Sequence, residues 1–278
     1  MKALILCVGG LRGAYDAGVA AALCQKLGNK YFDAIYMSSV GVYAGTFYAA
    51  NQPDIIENTW RNYVCGNQFV NFLNPIKGRN ILDIEYLIDI FKTEKSYLDI
   101  DEIINSGVKL NYVVENLRTG KVEYLQPTKE NVFELLRAGS AVPIIHGPVK
   151  LNNEMYIDGA LVDPLPVKKA IEDGYKEIVV VYNKPKGFRL GIINKFNLWI
   201  LSIFMPPLIG KQTRALGNLL QSVEKTIAEN KDILIIRPDL KVDFSILNTN
   251  KKVINKIFDA GLSDGYKAAE KLLENKPL

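Results

Sequence analysis

Histidine is almost absent from this sequence. His146 is the only one in 278 residues, which excludes a His-rich metal site and any mechanism that needs two imidazoles. The three cysteines, Cys7, Cys24 and Cys65, are odd in number and lack C-x-x-C spacing. They argue against a disulfide framework or a zinc site and favour a reducing compartment. We therefore expect a protein without a metal or other cofactor.

A strong charge of one sign and long apolar runs are also missing. The 34 basic and 30 acidic side chains leave a net charge of +4, too small an excess to predict a nucleic-acid partner. No stretch reaches the roughly 18 uninterrupted apolar residues of a membrane-spanning helix, and Pro206 and Pro207 break the nearest one. The short apolar start has no cleavage site and predicts a buried strand rather than a secretory signal. We expect a cytoplasmic protein, for which peripheral contact with a membrane surface remains open.

The sequence does contain an alternation of short apolar runs and amphipathic segments. Strands are predicted at residues 4–8, 34–37, 108–115, 121–125, 176–182 and 233–237, and helices at 14–27, 40–50, 80–91, 101–105, 131–139 and 250–274. Pro53 is expected to stop the second helix. This pattern predicts one α/β domain over residues 1–278, with a mostly parallel central sheet between two helix layers.

The first segment with chemical potential is the turn Gly9-Gly10-Leu11-Arg12-Gly13, between the first strand and the first helix. Glycines at such a turn allow backbone N–H groups to point outward, and the helix N-terminus adds partial positive charge. An oxyanion or a phosphate is held in this way. The glycine spacing matches neither the dinucleotide fingerprint nor a Walker loop. A plain strand-to-helix turn is the alternative.

The second segment, MSSVG, follows the second predicted strand and is a G-x-S-x-G elbow with Met37 in place of its first glycine. Ser39 has a glycine, Gly41, two residues on, whereas Ser38 does not. Ser39 is therefore the candidate nucleophile and Ser38 the alternative. The long side chain of Met37 must find room beside the strained turn. A serine that only caps the next helix would also fit this pattern.

The third segment contains Asp158, which follows an apolar run and precedes Gly159. This position predicts a carboxylate at the turn after a strand. An aspartate that merely hydrogen-bonds its own turn is the structural alternative.

Together, the three segments resemble the patatin-like phospholipases. The resemblance rests on the order G-G-x-R-G, S-x-G and D-G-A, and it extends to residues 97–100, 116–120, 137–143 and 163–167. It covers residues 3–183 and, more loosely, the terminal helix. It implies a three-layer α/β/α fold and a serine acyl hydrolase that acts on lipid or ester substrates. The catalytic groups of this family are a Ser-Asp dyad without histidine.

By this resemblance, Ser39 is the nucleophile and Asp158 is the general base that accepts its proton. Desolvation of the carboxylate would help, because it raises the pKa. The resemblance also implies an oxyanion hole made by the first turn, which comprises Gly9, Gly10 and Leu11, with Arg12 and Gly13 alongside. His146 is expected to be structural or to line the pocket.

An apolar segment at residues 190–215 is predicted to be a lid or an interfacial element. Basic side chains flank it, and it carries a tryptophan. Such a segment is typical of a helix that lies on an anionic bilayer, and the predicted membrane contacts are Phe196, Trp199 and Phe204. The alternatives to an interfacial element at the membrane are a core helix and a lid packed over the pocket.

Two other functions remain open. An acyltransferase would pass the acyl group from the serine to an acceptor other than water. A catalytically weak or silent family member would bind lipid without cleaving it.

Overall fold

The computed structural model describes residues 1–189, 191–230, 232–239 and 249–274. Its strands are β1 (Lys2–Leu6), β2 (Ala34–Ser38), β3 (Lys109–Asn116), β4 (Lys121–Leu125), β5 (Val149–Leu151), β6 (Glu154–Asp158), β7 (Glu177–Val181) and β8 (Ile233–Ile236). Its helices are α1 (Gly13–Leu27), α2 (Gly41–Ala49), α3 (Pro53–Asn62), α4 (Ile84–Phe91), α5 (Ile100–Asn105), α6 (Val132–Ser140), α7 (Val167–Glu172), α8 (Ile192–Ile203), α9 (Pro207–Glu229) and α10 (Lys251–Leu273). Short 3-10 turns lie at Gly10–Arg12, Asn74–Lys77 and Gly159–Leu161.

The strands join one eight-stranded mixed sheet in the order β5-β6-β3-β2-β1-β7-β8, with β4 also paired to β3. The pairs among β3, β2, β1, β7 and β8 are parallel. The pairs that involve β4, β5 and β6 are antiparallel. The predicted α/β fold with a mostly parallel sheet is confirmed, and the antiparallel end is an addition to it.

Helices cover both faces of this sheet because successive side chains of each strand point to opposite sides. On β1, Leu4 and Leu6 belong to a core that also contains residues of α1, α2, α4, α6 and α10. Ile5 belongs to a second core, on the opposite face, with Ala170 of α7 and Ile227 of α9. The predicted three-layer arrangement follows from this alternation.

Two prolines begin helices that the sequence pattern did not predict. Pro53, expected to stop a helix, is the first residue of α3, and Pro207 is the first residue of α9. Proline suits this position because its missing N–H would have no helical partner. The helix predicted at residues 80–91 starts four residues later, where the Asp83 side chain accepts a hydrogen bond from the Tyr86 N–H and caps α4. Among the described residues, no helix combines the length and the apolar character needed to cross a bilayer.

One edge of β3 brings two distant parts of the chain end to end. Along that edge, β2 pairs in parallel with residues 109–113, and β6 pairs antiparallel with residues 114–116. The other edge is occupied by β4. Strands β2 and β6 therefore run toward each other, so that their last residues, Ser38 and Asp158, pair with adjacent residues of β3. The turn after β2 and the end of β6 meet at this point.

Candidate active site

Ser39 lies in the sharp turn between β2 and α2, with a φ of +54°. This left-handed conformation is uncommon for a residue other than glycine and costs about 1–3 kcal/mol, so the surrounding structure must enforce it. Gly41 permits the turn, since a Cβ there would lie 2.9 Å from the carbonyl oxygen of Leu6. Val40, not Ser39, occupies the N-cap of α2, and no side chain caps that helix. The helix-capping alternative is therefore wrong.

The two neighbouring serines have different surroundings. Ser38 is the last residue of β2, is fully buried, and donates a hydrogen bond of 3.2 Å to the carbonyl oxygen of Asp163. Ser39 lines a cleft. The geometry therefore favours Ser39 over Ser38 as the residue that can meet a ligand.

The side chain of Met37 does not crowd the serine turn. It is fully buried and packs against Gly45 in α2, where an added Cβ would overlap the Met37 sulfur. A glycine one helical turn beyond Gly41 thus supplies the space that the missing elbow glycine would have left. The crowding expected from the sequence is relieved in this way.

Asp158 combines a turn role with an unpaired carboxylate oxygen. Its Oδ1 accepts a hydrogen bond of 2.9 Å from the Ala160 N–H. Asp158 therefore does hydrogen-bond its own turn, as the structural alternative predicted. Its Oδ2 is buried and has no hydrogen-bond partner among the described residues. Burial raises the pKa of Asp158 to about 7, although the nearby Ser39 hydroxyl and the Ala160 N–H oppose the rise. A carboxyl group with this pKa can both take up and release a proton near neutral pH.

The glycine-rich turn after β1 offers backbone donors to the same cleft. The N–H groups of Gly9, Gly10 and Leu11 have no acceptor among the described residues, and Gly10 and Leu11 line the cleft together with Ser39. The Gly13 N–H points instead to the carbonyl oxygens of Gly10 and Leu11. Gly13 is therefore not available as a donor.

Gly13 and Arg12 shape the turn rather than face the cleft through their N–H groups. A Cβ on Gly13 would lie 2.5 Å from the methyl carbons of Val40, so the absence of a side chain lets α1 approach the serine turn. The Arg12 N–H and Nε donate to the carbonyl oxygen of Gly9 at 3.2 and 3.4 Å. These two hydrogen bonds from Arg12 stabilise the conformation of the turn.

A buried polar cluster that the sequence analysis missed supports the turn from below. Lys184 Nζ donates a hydrogen bond of 2.7 Å to the carbonyl oxygen of Val8, and Asn183 Nδ2 donates at 2.7 Å to Asp16 Oδ2. Burial lowers the pKa of Lys184 and raises that of Asp16. The Val8 C=O and the Gly9 N–H belong to one trans peptide and point in opposite directions. The hydrogen bond from Lys184 therefore directs the Gly9 N–H away from Lys184. The available sequence signal was an aspartate inside an alanine-rich helix.

The cleft beside Ser39 is almost wholly apolar. It is lined by Gly10, Leu11, Ser39, Val40, Tyr43, Phe69, Val70, Leu82, Ser140, Val142 and Ile145. Its polar groups include the Tyr43 hydroxyl and Ser140 Oγ, which form a hydrogen bond of 2.8 Å with each other. His146 is not among the lining residues, and its Nδ1 lies 2.6 Å from the carbonyl oxygen of Gly147. Such walls suit an aliphatic chain.

A larger hollow of about 250 Å³ lies elsewhere, between β4, α7 and α9. Its lining includes Asp163 and Lys168 but neither Ser39, Asp158 nor the glycine-rich turn. The described residues also contain no group of three or more His, Cys, Asp or Glu side chains placed to hold a metal ion. Because Ser39, Gly10 and Leu11 line the smaller apolar cleft and not the larger hollow, we assign the candidate site to that cleft.

The protein has an α/β fold with a mixed, mostly parallel sheet, a strained serine after β2 and a glycine-rich turn after the neighbouring strand β1. The family model described as "Patatin-like phospholipase" matches residues 4–171. The chain belongs to the patatin-like phospholipase family.

The individual relatives share only a minor part of their sequence with this chain. The chain is 28% identical to the protein YjjU of Escherichia coli (strain K12) over 187 residues, which are 66% of this chain and 52% of YjjU. It is 26% identical to the NTE family protein Rv1063c of Mycobacterium tuberculosis (strain ATCC 25618 / H37Rv) over 168 residues, 59% of this chain and 44% of that protein. The chain thus spans about half the length of these curated relatives. A solved structure of VipD from Legionella pneumophila matches with a TM-score of 0.46 at 11% identity, covering 98% of this chain and 66% of VipD.

Proposed function

We propose that this protein hydrolyses lipid acyl esters through an acyl-serine intermediate, with Ser39 as nucleophile and Asp158 as general base. One observation carries the proposal. The hydroxyl of Ser39, a residue held at a φ of +54°, is close enough to the buried Asp158 carboxylate to oppose the rise of its pKa, and Asp158 Oδ2 has no other hydrogen-bond partner among the described residues. Membership of the patatin-like phospholipase family supports the reaction class.

Acylation begins when Asp158 Oδ2 accepts the hydroxyl proton of Ser39 and Oγ attacks the ester carbonyl carbon. The carbonyl oxygen then becomes an oxyanion. The open N–H groups of Gly9, Gly10 and Leu11 can stabilise that charge, which is the usual role of preorganised donors at an acyl-transfer site. The protonated Asp158 next gives its proton to the leaving alcohol, so the carboxylate is regenerated as the C–O bond breaks.

Deacylation repeats these proton transfers with water. Asp158 accepts a proton from the water that attacks the acyl-serine, and it returns the proton to Ser39 as the fatty acid leaves. A pKa of about 7 suits both directions of transfer at neutral pH. The acyltransferase alternative differs only in the acceptor, so product analysis separates the two reactions.

The walls of the cleft support the choice of substrate. Apart from Ser39, Tyr43 and Ser140, its lining side chains are apolar or glycine. Such a surface gains free energy by burying hydrocarbon, at roughly 25 cal/mol per Å², and offers no charged partner for a polar acyl group. The acyl chain is therefore the part of the substrate that this cleft suits.

A fluorophosphonate probe tests the proposal directly, because it labels only an activated serine hydroxyl. We expect labelling of the wild-type protein and of Ser38→Ala, the matched control, and none of Ser39→Ala. Ser39→Ala and Asp158→Asn should each lower kcat for a p-nitrophenyl ester by about 10⁴-fold or more, and the double variant by little more, because both residues act in one step.

Three outcomes would contradict the proposal. A folded wild-type protein that resists labelling has no activated serine, which favours the catalytically silent family member. Labelling that is lost in Ser38→Ala and kept in Ser39→Ala moves the nucleophile by one residue. Acyl transfer to a lipid or alcohol acceptor in preference to release of free fatty acid assigns the protein as an acyltransferase.

A further inference from the structure

Helix α8 presents its apolar stripe to solvent. Phe196, Trp199, Ile200 and Ile203 recur at the i, i+3, i+4, i+7 spacing that normally faces a protein core, yet each is between 37% and 59% exposed. Phe204, just after the helix, is 80% exposed. The rings of Phe196 and Trp199 stack with centroids 6.1 Å apart. Contiguous exposed apolar surface of this kind marks an interaction site.

One side of α8 packs against α9 at Ser202. Ser202 is buried, and its Oγ accepts a hydrogen bond of 2.8 Å from Arg214 Nη1. Gly210 allows the close approach, since a Cβ there would lie 2.5 Å from the carbonyl oxygen of Ser202. Helix α8 is therefore held against α9 at Ser202, and its apolar stripe lies away from this contact.

These contacts decide between the alternatives for the predicted segment 190–215. Leu190 lies outside the described residues, and the rest of the segment forms α8 and the start of α9. The exposed stripe contradicts a core helix. None of the residues that line the Ser39 cleft belongs to α8, so α8 does not cover that cleft as a lid.

The stretch of chain that contains α8 carries charge of one sign only. Residues 178–223 contain six Lys or Arg and no Asp or Glu. Lys184 is buried, and the other five are exposed: Lys186, Arg189, Lys195, Lys211 and Arg214. None of these five forms an ion pair with another described residue. An apolar stripe with a positive border complements an anionic lipid surface, whereas a second copy of the chain would bring the same positive charge against it.

We infer that α8 and Phe204 form a docking surface for anionic lipid bilayers, with the helix lying in the plane of the interface. The apolar stripe enters the boundary between head groups and acyl chains, while the basic side chains meet lipid phosphates. This inference rests on the proposed function for its purpose, which is to bring the cleft to its substrate. The binding itself requires no catalysis, so it can be measured independently.

Tryptophan fluorescence tests the docking, because the chain has only two tryptophans. Trp60 is 1% exposed and Trp199 is 50% exposed, so Trp199 supplies the change, and Trp60→Phe leaves it as the sole reporter. On vesicles of phosphatidylcholine with phosphatidylglycerol, we expect a blue shift of its emission and quenching by lipids brominated on the acyl chain. Pure phosphatidylcholine vesicles should give much weaker binding, by about fivefold for each basic side chain at the surface, from about 1 kcal/mol per charge.

Variants locate the surface and separate docking from catalysis. Phe196→Ser and Ile203→Ser should each lower vesicle co-sedimentation at least tenfold, whereas Tyr97→Ser, which changes an exposed aromatic outside α8, should not. Both α8 variants should keep wild-type hydrolysis of a soluble ester and lose hydrolysis of vesicle lipid. If the wild-type protein cleaves no ester and still binds anionic vesicles through α8, the proposed function fails and the docking surface stands.

Three results would overturn the inference. The first is an unchanged Trp199 emission on anionic vesicles. The second is equal binding to neutral and anionic vesicles, which would remove the role of the basic border. The third is a protein dimer in solution that dissociates on Phe196→Ser, because the stripe would then be covered by a second copy of the chain.

Discussion

Met37 and Gly45 share one space in the core: the sulfur of Met37 lies where a Cβ of residue 45 would stand. This contact explains how the serine turn tolerates a methionine at a position where glycine is usual in a G-x-S-x-G elbow. It also makes the two positions interdependent, although the shared space is separate from the cleft that contains Ser39.

The first prediction follows from this shared space. Gly45→Ala should destabilise the protein by about 1–3 kcal/mol through overpacking, and Met37→Ala by about 2–5 kcal/mol through a cavity. The double variant should be more stable than the sum of these losses predicts, because the new methyl group fills part of the cavity. Urea unfolding of all four proteins measures the coupling. Strictly additive losses would show that the two side chains do not compete for space.

Met37→Gly restores the usual elbow and gives a second prediction. It should lower the melting midpoint, because a buried side chain is lost and a glycine enters a strand end. The kcat/KM for a soluble ester should be at least equal to that of the wild type, since Met37 packs away from the cleft. Lower activity with an unchanged melting midpoint would mean that methionine positions Ser39.

The third prediction concerns pH. If Asp158 must be ionised to accept the Ser39 proton, kcat/KM should rise about tenfold per pH unit below 7 and level off above it, because burial raises the pKa to about 7. The folded state then binds this proton more tightly than the unfolded state, so its stabilising contribution is complete at low pH and is lost as pH rises through 7.

Two measurements test that assignment. The pH profile of kcat/KM should have a midpoint near the raised pKa of Asp158. The melting midpoint of Asp158→Asn relative to wild type should increase between pH 5 and pH 8, because asparagine carries no charge to bury. A flat activity profile across neutral pH would remove Asp158 from the role of general base.

A fourth prediction separates the dyad from a histidine triad. His146→Ala should keep kcat within a few-fold of wild type, because the ring does not line the cleft and its Nδ1 is directed to the Gly147 carbonyl oxygen. A triad histidine would cost several orders of magnitude. A well-folded His146→Ala protein with a collapsed kcat would overturn the dyad.

The fifth prediction tests the support beneath the glycine-rich turn. Lys184→Met should lower kcat by about 10²-fold with little change in KM, because the Val8–Gly9 peptide loses the bond that directs the Gly9 N–H. Lys184→Arg should recover part of the loss, and Lys176→Met, at an exposed lysine, should have no effect. A shift of the Gly9 amide signal in NMR spectra should accompany the loss. Wild-type kcat in a folded Lys184→Met protein would reduce Lys184 to a purely structural role.

Much of the fold could be predicted from the sequence because the signals are local. The β-branched run before Tyr182 predicted a strand covered on both faces, and four of the five residues of β7 are buried. The glycine and serine turns were found at the ends of β1 and β2. Prolines were less informative, since Pro53 and Pro207 can either end one helix or begin the next. The choice depends on whether the following residues find a surface to pack on.

The sequence by itself determined the turn that carries Ser39 and the donors of the glycine-rich turn, because both depend on glycine and on strand-to-helix junctions. Only the tertiary structure decided that β2 and β6 meet along β3, which buries Asp158 and raises its pKa. It also decided that the apolar stripe of α8 faces solvent, since periodicity identifies a stripe but not what covers it. Both outcomes depend on contacts between segments far apart in the chain, and local propensity carries no information about those contacts.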